Sequence, residues 1–166
     1  MIVKQTLQHQ IYILLHNIRS AHNVGSIFRT ADALAVSHIF LSGYTPTPLD
    51  KFGRPLKEIA KTALGAEQSI PWEYAKKPDR IIKQMKKAGI QIIGIEQDAR
   101  AIDYKAYQGN ATNAPVLVIV GNEVLGMSKS LKEKCDILVE IPMYGKKESL
   151  NVSVAFGVAL FSMFDR

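Results

Sequence analysis

Five short apolar runs, rich in isoleucine and valine, are the feature that most limits what this chain can fold into. In each run the apolar residues are mostly continuous rather than alternating with polar ones, as in strands buried on both faces. Such strands need helices on both faces of their sheet. The predicted strands are residues 11–15, 38–41, 90–95, 116–120 and 137–141.

Helical spacing of apolar residues occupies much of the sequence between these runs. Because strands and helices alternate, we expect an α/β fold with a mostly parallel sheet. Residues 43–55, rich in proline, glycine and charge, are predicted to form a long loop, which is often a binding element or lid. The predicted helices are residues 23–35, 56–64, 79–88, 128–134 and 150–164.

Length and composition limit the class of protein. The 166 residues, 47% of them hydrophobic, suit one well-filled core, so we expect a single domain over residues 1–166. No apolar run could span a bilayer and no signal peptide is evident, so a soluble, cytoplasmic protein is expected. The lone Cys135 excludes an intrachain disulfide, and the four histidines lack ligand spacing, so no metal is expected. A formal net charge of +6 favours a polyanionic partner.

Residues 141–155 join the last predicted strand to an apolar helix through a polar turn that contains glycine. Ser149 and Asn151 lie in this turn. Either residue could do no more than cap the helix, because such side chains satisfy the free N–H groups of a first turn. The alternative is that both belong to a site.

Arg29 lies on the polar side of the first predicted helix. With Val24 at the centre of the apolar face, a spacing of 3.6 residues per turn places Arg29 opposite it. One interpretation is a solvated arginine paired with Asp32, and the other is phosphate recognition by its planar fork of donors. Asn23 could likewise be a simple N-cap or a functional residue about one and a half turns away.

Gly121 and Gly126 follow a buried strand, where a backbone without side chains can approach a nucleotide-like ligand closely. The segment lacks the Gly-Lys-Ser/Thr ending of a phosphate-binding loop, and no G-x-G-x-x-G follows any strand. Glu123, between the two glycines, could bind a hydroxyl or amine, or could be only an acidic group near the next helix.

These three segments together resemble the three motifs of the SpoU (TrmH-type) ribose 2′-O-methyltransferases of the SPOUT superfamily, in order and in spacing. The motifs are N-x5-R in a helix, G-N-E-x-x-G after a strand and I-P-M-x-G-x-x-E-S-L-N-V-S-x-A near the end of the chain. The resemblance covers residues 13–161. It implies a C-terminal deep trefoil knot, although chains rarely thread loops, and a homodimer that uses S-adenosylmethionine as methyl donor.

The resemblance also implies roles for individual residues. Because a guanidinium has a pKa above about 12, we expect Arg29 to stabilise a developing alkoxide rather than to act as a base. The functional polar positions of the family match Asn23, Arg29, Glu123, Ser149 and Asn151. The loops that hold the cofactor match Ile95, Glu96, Gly121, Ile141, Met143, Ser149 and Leu150.

Two surfaces are candidates for partners. The last predicted helix is apolar nearly all round, so its second side packs either on a partner subunit or within its own domain; a homodimer through this helix is expected. A basic group flanking the long loop is the first choice for RNA backbone contact, with an ordinary solvated surface as the alternative. It consists of Lys51, Arg54, Lys57 and Lys61.

The function predicted from the sequence is S-adenosylmethionine-dependent methylation of a ribose 2′-hydroxyl in structured RNA, by a domain with no separate RNA-binding module. A tRNA substrate is slightly favoured over ribosomal RNA. Three alternatives are open: a non-catalytic RNA-binding relative of the same fold, a base-methylating SPOUT enzyme, and a generic nucleotide-binding α/β domain.

Overall fold

The computed structural model describes residues 10–107 and 114–164. Within that part of the chain seven strands form one sheet in the order β3-β2-β1-β6-β4-β7-β5, and every neighbouring pair is parallel. The strands are β1 (Ile11–His16), β2 (His38–Ser42), β3 (Trp72–Ala75), β4 (Gln91–Ile95), β5 (Ile102–Asp103), β6 (Val116–Val120) and β7 (Ile137–Glu140).

Helices cover both faces of the sheet. Side chains of β6 alternate between two cores: Val118 contributes to one that includes residues of α1 and α6, and Leu117 to the other, which includes residues of α4 and α5. The continuous apolar runs are explained by this double burial. The helices are α1 (Ala21–Ala33), α2 (Lys57–Ala63), α3 (Ala66–Ser69), α4 (Asp79–Lys87), α5 (Lys129–Lys132) and α6 (Val152–Phe164), with a short 3₁₀ turn at Tyr104–Ala106.

The predicted α/β class and mostly parallel sheet are confirmed, as are the five predicted strands. Strands β3 and β5 and the four-residue helix α3 were not predicted from the sequence. Both of these strands lie at the ends of the sheet order, where one side has no neighbour among the described strands and burial is incomplete. Edge strands of this kind lack the continuous apolar run that marked the central ones. The trefoil knot stays a prediction.

Helix starts differ from those predicted. The first helix begins at Ala21, and the N-cap is Ser20, whose side chain accepts a hydrogen bond from the Asn23 N–H at 3.2 Å. The interpretation of Asn23 as an N-cap is therefore wrong, and its side chain is free for other contacts.

No helix in the described part of the chain has the length and apolar character needed to span a bilayer.

Gly25 allows α1 to pack closely on α2. A Cβ atom at this position would lie 2.0 Å from Thr62 Oγ1 and 2.5 Å from the carbonyl oxygen of Ile59. Because the second atom is backbone, we expect Gly25→Ala to separate the helices and to lower the free energy of unfolding by about 2–3 kcal/mol. Urea unfolding measures this, with Ser26→Ala as the control on the same helix. Equal stability of Gly25→Ala and the wild type would contradict the close packing.

Candidate active site

A cleft of about 270 Å³ opens at the carboxyl ends of β4, β6 and β7. The strands end together, because Ile95 of β4 pairs in register with Val120 of β6 and with Val139 of β7. The loops that follow them form the walls, together with Val152 and Ala155 of α6. Ligands of open parallel sheets bind at this edge.

The cleft brings together every residue predicted to hold a cofactor. They come from the ends of three strands that are distant in sequence and from the loops that follow them, and all of them line the same cavity. They are Ile95, Glu96, Gly121, Ile141, Met143, Ser149 and Leu150.

Two glycines allow the turn after β6 to pack tightly. A Cβ atom at Gly121 would lie 2.8 Å from the Met127 nitrogen, and one at Gly126 would lie 2.4 Å from Glu96 Oε2. Gly126 also has a φ of +64°, which side chains rarely adopt. Glu96 accepts hydrogen bonds from the Met127 N–H at 2.6 Å and the Gln97 N–H at 3.1 Å. This tight packing fixes the Glu96 carboxylate at the cleft wall.

Two residues stabilise the loops that form the cleft, and neither was given a role from the sequence. The Gln97 side chain donates to the carbonyl oxygen of Glu148 at 2.6 Å, which joins the loop after β4 to the loop after β7. The Asn122 carboxamide oxygen accepts from the Val124 and Leu125 N–H groups, which closes the turn that contains Glu123. An asparagine at the start of a glycine-rich turn is a usable signal for the second contact. The hydrogen bond of Gln97 to Glu148 depends on how the two loops are placed by the fold, so no sequence signal predicts it.

Glu123, Asn23 and Asn151 form a chain of hydrogen bonds beside the cleft. Glu123 accepts from the Asn23 side chain at 3.1 Å and from the N–H groups of Arg19 and Ser20 at 2.9 and 3.0 Å. Asn23 Oδ1 in turn accepts from Asn151 Nδ2 at 3.1 Å. All three motifs of the resemblance therefore meet in one network.

Asn151 caps α6 and also donates a hydrogen bond to Asn23. Its Oδ1 accepts from the Ser153 N–H at 2.9 Å, as a helix cap does, while its Nδ2 donates to Asn23. Because the cap fixes the carboxamide, Asn151 presents its donor in one direction. Ser149 is exposed and lines the cleft.

The charge on Glu123 is stabilised by its surroundings. Partial burial acts to raise the pKa of Glu123, but the donors on Arg19, Ser20 and Asn23 outweigh it and hold the pKa below its ordinary value of 4.5. The carboxylate is therefore ionised at neutral pH. It can fix the orientation of Asn23, because an ionised carboxylate only accepts hydrogen bonds.

We expect Glu123→Gln to destabilise the fold by about 1 kcal/mol at neutral pH, since a neutral amide accepts these bonds more weakly. A lowered folded-state pKa contributes stability above the unfolded pKa and loses it as the pH falls through the folded value. The difference between variant and wild type should therefore shrink below pH 4.5. Urea unfolding at several pH values measures it. A difference in the free energy of unfolding that stays constant down to about pH 2 would contradict an ionised Glu123 in the network.

Arg29 does not line the cleft. It is exposed on α1, and no described residue forms a hydrogen bond or ion pair with its side chain. The interpretation of a pair with Asp32 is wrong, because Asp32 accepts instead from Ser69 Oγ at 2.9 Å. Within one chain Arg29 is therefore outside the hydrogen-bonded chain of Glu123, Asn23 and Asn151.

Other residues outside the cleft also have defined places. Burial raises the pKa of the Cys135 thiol to about 11, and the side chain packs against the second core, in agreement with a structural role. Among the described residues, no group of three or more acidic, histidine or cysteine side chains could hold a metal ion. The predicted basic group is exposed around the long loop and α2: Lys51, Arg54, Lys57 and Lys61.

The fold and cleft define a class: a parallel α/β domain with a ligand site at the carboxyl ends of its strands. The model of the SpoU rRNA methylase family matches residues 10–161. The chain belongs to this family, which confirms the family predicted from the motifs.

Individual relatives agree with this assignment. The chain is 33% identical over 162 residues to YacO of Bacillus subtilis, which its name places in the TrmH family of tRNA/rRNA methyltransferases, covering 95% of this chain and 59% of YacO. It is 32% identical to the 23S rRNA (guanosine-2′-O-)-methyltransferase RlmB of Pseudomonas putida, covering 96% of this chain and 60% of RlmB.

A solved structure shows the same fold. The AdoMet-bound rRNA methyltransferase from Sinorhizobium meliloti superposes with a TM-score of 0.80 and 31% identity, covering 94% of this chain and 56% of that one. The chain thus spans somewhat less than two thirds of the length of the relatives described.

Proposed function

We propose that this chain transfers the methyl group of S-adenosylmethionine to a ribose 2′-hydroxyl of structured RNA. One observation carries the proposal: the cleft unites all seven predicted cofactor residues and adjoins the hydrogen-bonded chain Glu123–Asn23–Asn151. Relatives named as 2′-O-methyltransferases and an AdoMet-bound relative support the choice of reaction and donor.

The charge of the cleft suits a cationic donor. Four glutamates line it, and none of the described lining residues is lysine, arginine or histidine. S-adenosylmethionine carries a sulfonium and an ammonium group, so an acidic wall attracts it, whereas the phosphates of an ordinary nucleotide would be repelled. The acidic lining therefore favours this donor over the generic nucleotide-binding alternative. The glutamates are Glu96, Glu123, Glu140 and Glu148.

The apolar part of the cleft suits an adenine ring. Ile95, Ile141 and Met143 provide apolar walls for it. When bound, the donor supplies an electrophilic methyl group on sulfur. The residues of this chain must align an acceptor oxygen behind that carbon and accept or relay its proton.

Asn23, Asn151 and Ser149 are proposed to position the acceptor hydroxyl. Glu123 fixes Asn23, and the helix cap fixes Asn151, so both carboxamides are oriented before any substrate binds. Arg29 is proposed to stabilise the developing alkoxide and an adjacent phosphate. The hydroxyl proton then passes to phosphate or water, as the oxygen bonds to the methyl carbon and the carbon–sulfur bond breaks.

A homodimer through α6 is proposed to bring Arg29 to a cleft. Three apolar side chains on one side of α6, and that of Leu150 two residues before the helix, are between 38% and 49% exposed. At the edge of this exposed side, Gly157 lies against α1, where a Cβ would be 3.5 Å from Thr30 Cγ2. A partner on the apolar stripe would therefore lie near both Arg29 and the cleft loop. The stripe is Leu150, Val154, Val158 and Phe161.

The basic group beside the long loop is proposed to bind the RNA backbone. We expect Lys51→Glu with Arg54→Glu to weaken RNA binding about tenfold at 0.1 M salt and to reduce the slope of log K against log salt by about 1.5. A salt titration of binding measures both. Lys105→Glu with Lys129→Glu changes the net charge equally at a distant surface and serves as control. An unchanged affinity at moderate salt would contradict the assignment.

Methyl mapping in cells tests the proposed reaction. Total RNA from cells that lack the protein is compared with RNA from cells complemented with the wild type or with Arg29→Ala. Loss of one ribose methylation, restored only by the wild type, is expected, and it also decides between tRNA and ribosomal RNA. Loss of a base methylation instead would favour the base-methylating alternative.

A further inference from the structure

The long loop has an ordered tip. Residues 50–54, called the hairpin tip below, close into a turn in which the Asp50 N–H donates to the Arg54 carbonyl at 2.8 Å and the Gly53 N–H to the Asp50 carbonyl at 2.9 Å. The Asp50 carboxylate also accepts from the Phe52 and Arg54 N–H groups at 2.8 and 3.0 Å. An aromatic residue is therefore presented on a fixed turn.

Phe52 at this tip is 68% exposed. A phenylalanine ring has no polar group that could form a hydrogen bond with water. Its exposure on a hydrogen-bonded turn therefore implies that a partner covers the face of the ring. Two cations lie against the ring: Lys51 Nζ and the guanidinium carbon of Arg54 are each 5.0 Å from its centroid. The ring is thus an aromatic surface at the centre of a basic tip.

The two cations differ in freedom. Arg54 donates through Nε to Asp50 Oδ2 and forms an ion pair with the same carboxylate, each at 2.8 Å. Lys51 forms no hydrogen bond or ion pair with a described residue, and its contact with an exposed ring contributes only a weak attraction. The Lys51 ammonium can therefore leave the ring when another flat group stacks there.

The loop is anchored to the candidate active site at its start. The Tyr44 hydroxyl accepts from Asn122 Nδ2 at 2.9 Å, and the Tyr44 N–H donates to Asn17 Oδ1 at 3.2 Å. Residues 50–61 contain four lysines and arginines but only two carboxylates, so the surface around the ring attracts a polyanion.

We propose that Phe52 stacks on an unpaired base of the RNA substrate, while Lys51 moves from the ring to a neighbouring phosphate. This rests on the proposed function and adds to it that the substrate has an unpaired nucleotide. Stacking on an aromatic side chain requires a base that is free of a duplex, because the faces of paired bases are covered. Basic side chains beside an aromatic platform are typical of single-stranded RNA contacts.

Two RNA probes test the proposal with the full chain. One is a synthetic stem-loop with a single-stranded loop, and the other is a blunt duplex with the same number of phosphates. Fluorescence anisotropy measures the affinity of the wild type, Phe52→Ala, Phe52→Leu and Phe52→Trp for both. The leucine variant keeps an apolar side chain without a ring, and the tryptophan variant keeps a ring.

We expect Phe52→Ala and Phe52→Leu to weaken stem-loop binding roughly tenfold, to leave duplex binding unchanged and to leave the salt slope of the stem-loop unchanged. Phe52→Trp should bind as the wild type does. Equal loss for both probes, no loss for either, or no RNA binding by the wild type would overturn the stacking contact. A partner protein for Phe52 would be indicated by the second result.

Methyl transfer separates this proposal from the proposed function. If the wild type and Phe52→Ala methylate RNA equally well and bind the stem-loop equally, only the stacking contact is wrong. If the wild type binds the stem-loop through Phe52 but transfers no methyl group to any cellular RNA, only the proposed reaction is wrong.

Discussion

Arg29→Ala will lose at least about 100-fold in the rate of methyl transfer, while its affinity for S-adenosylmethionine stays within about twofold of the wild type. The separation of the two effects follows from the geometry. Arg29 of the same chain does not line the cleft. Donor binding therefore does not need this side chain. Stabilisation of an alkoxide acts only when the acceptor loses its proton, which places the effect on the chemical step.

Single-turnover assays at saturating donor, together with calorimetric titration of the donor, measure the two quantities. Arg29→Lys should also be nearly inactive, because a lysine ammonium lacks the planar fork that binds two oxygens at once. Arg80→Ala is the control, since Arg80 is an exposed arginine on α4, on the other face of the sheet. A retained rate in Arg29→Ala would contradict the role given to this residue.

Val158→Asp will convert a dimer into monomers and abolish activity. Val158 is in the middle of the exposed apolar stripe on α6, and a carboxylate there would lose its hydration in an interface without gaining a partner. That cost is several kcal/mol, enough to dissociate a moderately stable dimer at micromolar concentration. Light scattering should give twice the 18.4 kDa chain mass for the wild type and the single mass for the variant.

Leu64→Asp is the control for this experiment. Leu64 is more exposed than Val158 and lies at the end of α2, away from the stripe, so its replacement should leave both mass and activity unchanged. A wild-type chain that is monomeric and fully active would contradict the proposed dimer. A dimeric Val158→Asp would exclude α6 as its interface.

The central sheet could be predicted because burial on both faces leaves a local signature. Val116–Val120 is apolar at every position, and nothing beyond these five residues is needed to recognise a buried strand. Among the described strands Trp72–Ala75 pairs with β2 alone, and it is half exposed, so its four residues carry no such run. Its strand conformation depends on a neighbour that the local sequence does not specify.

The site could be predicted where strand ends and glycine turns define it. Gly121 and Ile141 follow recognisable strands, and parallel strands end at a common edge, so their approach follows from the fold class. The bond between Gln97 and Glu148 could not be predicted, because a side-chain amide and a carbonyl carry no pairing signal. The exposure of Arg29 was predictable from helix periodicity, but the contact of Asp32 with Ser69, on another helix, was not.

Nucleoside analysis after one reaction tests the central claim most directly. The chain is incubated with RNA from cells that lack it and with S-adenosylmethionine carrying a deuterated methyl group, and the RNA is digested to nucleosides for mass spectrometry. We predict that the label appears on the ribose of one nucleoside and is absent when Arg29→Ala replaces the wild type. Label on a base, or no label from a chain that binds the donor, would contradict the account.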